Sequence, residues 1–228
     1  MNHVIAVLTG DDDNAVRGTA GALAHLLGVG VRSLRPLKGD RVDRIDALAT
    51  ALGRPDVEAG ALRIDAPEDL CWDLLPRIEA PLLILPVHPG STAGPLTRVL
   101  VPLDGCEETA AGLGGIADRL VSGGAELVAV HVFVPDTVPA FWDQAAHSHE
   151  PWRAEFLRRN LPTARDLGLR RGEPAAEVRE EVAASGVDML LMGWSQNLSE
   201  GHAGIVREAL TRGSVPVLLV RTTMRPAG

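Results

Sequence analysis

Short hydrophobic runs alternate with longer amphipathic stretches along most of the chain, and this alternation restricts the fold more than any other feature of the sequence. Runs rich in Val, Ile and Leu predict buried strands. They are residues 3–8, 31–37, 61–64, 82–87, 99–103, 126–134, 166–171, 188–193 and 215–220. Because strands that alternate with helices pair in parallel and are covered on both faces, we expect an α/β protein with a doubly wound, Rossmann-like sheet.

The stretches between these runs carry apolar residues at the spacing of an amphipathic helix. They predict helices over residues 14–27, 42–52, 67–78, 107–121, 152–159, 175–184 and 203–212. The acidic run 11–13 could hold Mg²⁺, but it is interpreted as the start of the first helix, where acidic side chains complement the helix dipole.

The sequence also repeats itself. Residues 4–10 (VIAVLTG) match 99–105 (VLVPLDG) at an offset of 95, and residues 80–87 match the region of 215–221 at an offset of 135. The second copy is therefore longer by about 40 residues. Since the segment between the copies is rich in turn-forming residues, we expect a tandem repeat with a shortened first domain, 1–90, and a full second domain, 96–222.

Composition and charge exclude several classes of protein. Aromatic residues make up 3% of the chain and the net charge is −8, which speaks against a surface that binds nucleic acid. The longest apolar stretches are the length of a strand rather than of a membrane span, and the N-terminus lacks the pattern of a signal peptide. Cys71 and Cys106 suit a reducing compartment. We therefore expect a cytoplasmic protein without a metal site.

The C-terminal half resembles the universal stress protein family. The likeness lies in an ordered set of segments: 98–105 (RVLVPLDG), 127–135 (LVAVHVFVP), 169–193 (LRRGEPAAEVREEVAASGVDMLLMG) and 207–221 (REALTRGSVPVLLVR). The resemblance implies a five-stranded sheet of order 3-2-1-4-5 and, in some members, ATP bound by a Gly-x-x-Gly pattern followed by nine residues and Gly-Ser/Thr. It also implies dimers that pair through the last strand.

Ligands of open parallel sheets bind beyond the carboxyl ends of the strands, where the strand order reverses. In the second domain that point lies between the first and fourth strands, which end at Asp104 and Gly193. The resemblance implies that Asp104 accepts a hydrogen bond from a ribose hydroxyl or a base amine, and that Val132 and Phe133 line the base. Two simpler interpretations stay open: Asp104 caps its helix, and Gly193 permits a tight strand exit.

The phosphate loop departs from the family pattern. Gln196 stands where the second glycine is needed for close approach of a phosphate, and the loop is shorter. Triphosphate binding in the family's manner is therefore not expected. If a phosphate does bind, we expect it within residues 199–204, where the helix N-terminus is freest. The candidate residues of this loop are Gln196, Ser199, His202, Ala203 and Gly204.

Three hypotheses follow for function. The first is a non-catalytic stress-response or regulatory protein with a degenerate adenine-nucleotide pocket in the second domain, for which ATP is the candidate cofactor. The second is an ATP-binding protein with slow hydrolysis, in which His202 and Arg207 contact the phosphates. The third is an interaction scaffold without a small ligand. No residue pattern indicates a catalytic site. We also expect the apolar last strand, 215–220, to pair at an open sheet edge, either with another chain or with the shortened first domain.

Overall fold

The structure is a computed structural model that describes residues 1–9, 13–35, 39–64, 70–86, 94–134, 149–195 and 204–222. In these ranges every predicted strand is present, within a few residues of its expected bounds. The strands are β1 (His3–Val7), β2 (Gly30–Leu34), β3 (Val57–Arg63), β4 (Leu82–Leu85), β5 (Arg98–Pro102), β6 (Glu126–Phe133), β7 (Asp166–Arg171), β8 (Met189–Trp194) and β9 (Val217–Arg221).

The predicted helices are also confirmed. They are α1 (Asn14–Leu27), α2 (Arg41–Leu52), α3 (Leu70–Leu74), α4 (Glu107–Ser122), α5 (His149–Asn160), α6 (Pro174–Ser185) and α7 (Gly204–Arg212). Helix α3 gives way to a 3₁₀ turn that contains Pro76, because proline lacks the N–H that a continuing α-helix would use. Helix α1 ends at Gly28, whose φ of 67° closes the helix in the left-handed conformation.

All the strands belong to one sheet of order β2-β1-β3-β4-β9-β8-β5-β6-β7. The C-terminal half, β5 to β9, has the 3-2-1-4-5 order that the resemblance implied. The strands of the N-terminal half lie in the order β2-β1-β3-β4, with β2 as the last described strand at that edge. In the C-terminal half the strand that corresponds to β2 is β6, and β7 lies beyond it. Neighbouring strands are parallel throughout, except at the junction of the halves, where β4 and β9 are antiparallel.

The junction between β4 and β9 decides how the last strand is used. Leu83 lies opposite Leu218, and these two residues are equivalent under the 135-residue repeat offset. The two halves are thus related by local two-fold symmetry about this pair. Because β9 is hydrogen-bonded to β8 on one side and to β4 on the other, it offers no open edge. The expectation of self-association through the last strand is therefore wrong for pairing between chains, and the pairing with the first half is the one found.

Each face of the sheet carries one hydrophobic core that runs through both halves. On one face α1 and α4 bury residues such as Leu23 and Leu113 in a single cluster. On the other face α2, α3, α6 and α7 bury a second cluster that includes Leu48 and Leu210. The halves consequently share their cores, which favours folding as one unit.

Arg119 of α4 joins the halves through a polar contact. One of its terminal nitrogens donates to the carbonyl oxygen of Leu27 at the end of α1, at 2.9 Å. Its other terminal nitrogen donates to Glu58 of β3, which also accepts from the side chain of Asn2. The hydrogen bond from Arg119 is the main reason that the pKa of Glu58 lies below its ordinary value.

The lowered pKa of Glu58 makes its contribution to stability pH-dependent. A carboxyl group whose pKa is lower in the folded state stabilises the fold above its unfolded pKa, and this stabilisation is lost as the pH falls through the folded value. We expect Glu58→Gln to lower the free energy of unfolding by about 1 kcal/mol at pH 7 and to have a smaller effect at pH 3, which lies below the unfolded pKa of a glutamate. Urea unfolding at both pH values measures the difference. Glu79→Gln is the control, because the Glu79 carboxyl pairs with Arg221 while 84% exposed, and an equal effect of the two variants would contradict the prediction.

Candidate functional site

A cavity of about 500 Å³ opens at the carboxyl ends of β5, β6 and β8. The strand order of the C-terminal half reverses at this point. The structure therefore has a cavity where the sequence predicted the ligand site. Its volume lies in the usual range for small-molecule sites. The lining residues are Pro102, Leu103, Asp104, Thr109, Val130, His131, Val132, Phe133, Val134, Pro174, Val178, Met192, Gly193, Ile205 and Val206.

Most of the cavity wall is aliphatic. Val130 and Val132 alternate along β6 and therefore share one face of the sheet. Met192 of β8 and Val178 of α6 pack in the same hydrophobic cluster. Ile205 and Val206, in the first turn of α7, add to this wall. The cavity therefore offers mostly apolar surface to a ligand.

Asp104 supplies a carboxylate to the cavity and also holds the turn that precedes α4. One carboxylate oxygen accepts from the backbone N–H of Cys106 at 2.9 Å. The other accepts from the hydroxyl of Thr109 at 3.0 Å. Helix α4 has Cys106 as its N-cap and no side-chain cap, so the interpretation of Asp104 as the helix cap is not supported, and its carboxylate instead holds the turn before the helix. Since each carboxylate oxygen has a further lone pair, the exposed side chain can still accept a hydrogen bond from a ligand.

Cys106, beside this carboxylate, is not an activated thiol. Partial burial, together with the negative charges of Asp104 and Glu108, raises the pKa of its side chain above the ordinary value. Burial is the largest cause, and the neighbouring acids act in the same direction. Because the thiolate is the nucleophilic form, this cysteine is poorly placed to react.

His131 fixes the turn that leads to Asp104. Its Nδ1 lies 2.8 Å from the carbonyl oxygen of Leu103, and a carbonyl can only accept, so Nδ1 carries a proton. The ring contacts Phe133 and Phe156 with centroid distances of 4.6 and 4.8 Å. Phe156 of α5 in turn covers Gly105, where an added Cβ would lie 3.3 Å from the ring. The aromatic side chains thereby brace this edge of the cavity.

Gly193 is closely packed. A Cβ at this position would lie 3.0 Å from the Cγ2 atoms of both Thr109 and Thr222, which is tighter than an ordinary contact. Gly193 lies inside β8 and is not among the glycines of positive φ, so the strand-exit interpretation is not supported, and the residue lines the cavity. In the N-terminal half, strand pairing and the repeat offsets place Arg63 at the equivalent position. A long side chain thus stands there in place of the glycine.

The expected phosphate loop falls largely outside the described residues: Gln196, Ser199, His202 and Ala203 lie in the segment 196–203. Gly204 is described and is the first residue of α7. Arg207, the second expected phosphate contact, is not a lining residue, and its guanidinium carbon lies 5.4 Å from the ring centre of Trp72. The cation therefore sits on the aromatic ring of α3.

Several lining residues were missed by sequence reasoning, among them Thr109, Val178, Met192 and Ile205. The apolar spacing of Val178 and Val182 predicts a buried helix face, but not which end of the face meets a cavity. Thr109 was detectable only through its position five residues after Asp104. Within the described ranges no group of His, Cys, Asp and Glu side chains is arranged to hold a metal ion.

Comparison with known proteins establishes the family. The model of the universal stress protein family matches residues 95–221, which is more than half of the chain. The chain belongs to the universal stress protein family. A comparison with curated proteins finds no match to this sequence. None of the described helices is long and apolar enough to cross a membrane.

Solved structures share the fold along nearly the whole chain. A universal stress protein from Archaeoglobus fulgidus DSM 4304 is 15% identical, with a TM-score of 0.59 and 96% of each chain covered. A protein from Pseudomonas aeruginosa UCBPP-PA14, provisionally named as a universal stress protein, is 13% identical, with a TM-score of 0.58, covering 97% of this chain and 94% of that one. A functionally unknown protein from Pseudomonas aeruginosa PAO1 is 16% identical, with a TM-score of 0.55, covering 96% and 82% respectively.

Proposed function

We propose that this protein is a non-catalytic, cytoplasmic regulator of the stress response whose C-terminal half binds an adenine-type small molecule. The observation that carries the proposal is the cavity of about 500 Å³ at the strand-order reversal of β5 and β8. Its aliphatic wall accepts a base, and Asp104 offers an acceptor to a hydroxyl or amine of the ligand. Binding in such a cavity would report the presence of the ligand without changing it chemically.

A single ligand site per chain is consistent with the structural difference between the N-terminal and C-terminal halves. We propose a shortened domain over residues 1–90 and a full domain over 96–222, in which only the full domain retains a ligand cleft. Arg63 supports this division, because it stands at the position of Gly193 and its side chain is partly buried. The antiparallel pair of β4 and β9 would then take the place of the dimer contact that the family resemblance implied.

The base is proposed to lie against Val132 and beside Phe133, with Asp104 accepting from the ribose or the base amine. ATP is the candidate nucleotide that the family resemblance implies, and Gln196 weakens the case for its triphosphate. The alternative of slow ATP hydrolysis assumed that His202 and Arg207 contact the phosphates. The guanidinium of Arg207 instead lies over the ring of Trp72, which weakens this alternative.

Calorimetric titration of the purified protein with adenosine, AMP and ATP tests the proposal. We expect at least one of the three to bind at micromolar to millimolar concentration. Val132→Trp places a large ring in the cavity and is expected to weaken binding about tenfold or more. Val121→Trp is the matched control, because Val121 is 37% exposed near the opposite end of α4. Absence of binding by all three ligands at millimolar concentration would overturn the proposal, as would equal effects of the two tryptophan variants.

A further inference from the structure

We infer that the cavity selects an uncharged heteroaromatic ligand of the nucleoside class and disfavours the phosphorylated forms of the same ligand. This inference rests on the proposed function and specifies the chemistry of its ligand. It is drawn from the charges and hydrogen-bond donors at the N-termini of α4 and α6 and from the side chains that line the cavity; the first turn of α7, which also borders the cavity, carries no acidic residue.

The N-terminus of α6 borders the cavity through Pro174, and its donors are already satisfied. The Glu173 carboxylate accepts from the backbone N–H groups of Ala175 and Ala176, at 3.1 and 2.7 Å. Pro174 has no N–H to offer. The protein's own carboxylate therefore occupies the place where a helix N-terminus would otherwise hold a phosphate.

The N-terminus of α4 is surrounded by negative charge. Asp104 accepts the N–H of Cys106, and Glu107 and Glu108 stand in the first turn of the helix. These acidic side chains offset the positive end of the helix dipole. An incoming phosphate would meet this negative charge, although no side chain caps the first turn of the helix.

No lysine or arginine is among the described lining residues. Two arginines of neighbouring elements are engaged elsewhere: the Arg170 side chain donates to Glu181 at 2.8 Å, and Arg207 lies over the ring of Trp72. A polyphosphate ligand ordinarily requires arginine, lysine or a metal ion to balance its charge. The described side chains of this cavity supply no such group.

Two segments that leave the cavity-lining strands lie outside the described residues, and their composition points the same way. Residues 135–148 follow β6 and residues 196–203 follow β8. Neither segment contains a lysine or arginine, and together they carry Asp136, Asp143 and Glu200. In sequence, these two segments therefore add acidic residues and no lysine or arginine.

What the cavity does offer suits a nucleoside. Its aliphatic wall buries the faces of a base, and the carboxylate of Asp104 accepts from hydroxyl or amine donors, which a nucleoside carries and a phosphate lacks at neutral pH. The repulsion between like charges in a partly enclosed site grows with every added phosphate. Affinity is therefore expected to fall in the order adenosine, AMP, ATP.

Titration of the full chain with these three ligands at fixed pH and ionic strength, with and without Mg²⁺, tests the order. We expect adenosine to bind about tenfold or more tightly than ATP. Glu173→Gln removes one charge and keeps one acceptor oxygen for the cap, so it should narrow the difference between adenosine and ATP several-fold. Asp118→Asn removes an exposed charge farther along α4 and should leave the difference unchanged.

The outcomes separate this inference from the proposed function. If ATP binds as tightly as adenosine or more tightly, the inference is overturned while the proposed function stands. If adenosine binds more tightly but Glu173→Gln and Asp118→Asn change the ratio equally, the assignment of selectivity to the charges around the cavity is overturned. If none of the three ligands binds, both are overturned.

Discussion

Replacement of Gly123 by alanine is expected to lower the free energy of unfolding by roughly 3 kcal/mol, at the upper end of the usual cost of overpacking. The added Cβ would lie 2.2 Å from the carbonyl oxygen of Leu26 and 2.7 Å from its carbonyl carbon and Cα. These are backbone atoms in the last turn of α1, so relief of the clash requires α1 and α4 to separate. Gly123 has a φ of −80°, which alanine adopts readily, and the clash is thus the sole cause of the expected loss.

Gly115→Ala provides the control for this prediction. Gly115 lies on the same helix, and an added Cβ there meets no atom within 4 Å. Alanine is favoured over glycine inside a helix by about 0.5–1 kcal/mol, so this variant should be more stable than the natural protein. Urea unfolding followed by circular dichroism compares the two. Equal stabilities of the two variants would show that α1 and α4 are not packed as closely as described.

Truncation of Leu218 or Leu83 to alanine is expected to lower the free energy of unfolding by about 3 kcal/mol in each case. Both side chains are fully buried, and they face each other across the antiparallel pair of β4 and β9. Because the sheet and its cores are continuous through this pair, either truncation should destabilise the entire chain. We expect a single unfolding transition whose midpoint lies at a lower denaturant concentration than that of the natural protein.

Val31→Ala is the comparison for the two leucine variants. Val31 is 40% exposed on β2, at the end of the sheet, so its truncation should cost less than about 0.5 kcal/mol. Light scattering of the Leu218 variant should show the same molecular mass as the natural protein, since β9 pairs within the chain. Two separate transitions, or a change of mass in the Leu218 variant, would contradict the shared sheet.

The secondary structure could be predicted from the sequence because its signals are local. The apolar run of β6 and the helical spacing over residues 14–27 each specify an element without reference to the rest of the chain. The 95-residue and 135-residue offsets even indicated which strands correspond. Strand pairing at the junction was different, since an apolar strand such as β9 satisfies an edge on its own chain as well as one on another.

The candidate site shows the same division between local and long-range information. Asp104 and Gly193 were found because each ends a hydrophobic run. The close packing around Gly193 involves Thr222, which follows the end of β9. Nothing in the local sequence around either residue indicates this contact. The contact between the rings of His131 and Phe156 likewise joins β6 to α5, which are separated by a long segment of the sequence. Such contacts follow from the tertiary structure alone.

The antiparallel meeting of β4 and β9 has an evolutionary consequence. In a symmetric assembly of identical subunits, any substitution appears on both sides of the two-fold axis at once. Here a single gene encodes both sides, so each can change independently. Arg63 and Gly193 occupy corresponding positions with opposite properties, an asymmetry that two identical copies could never acquire. One half is therefore free to lose a feature that its counterpart keeps.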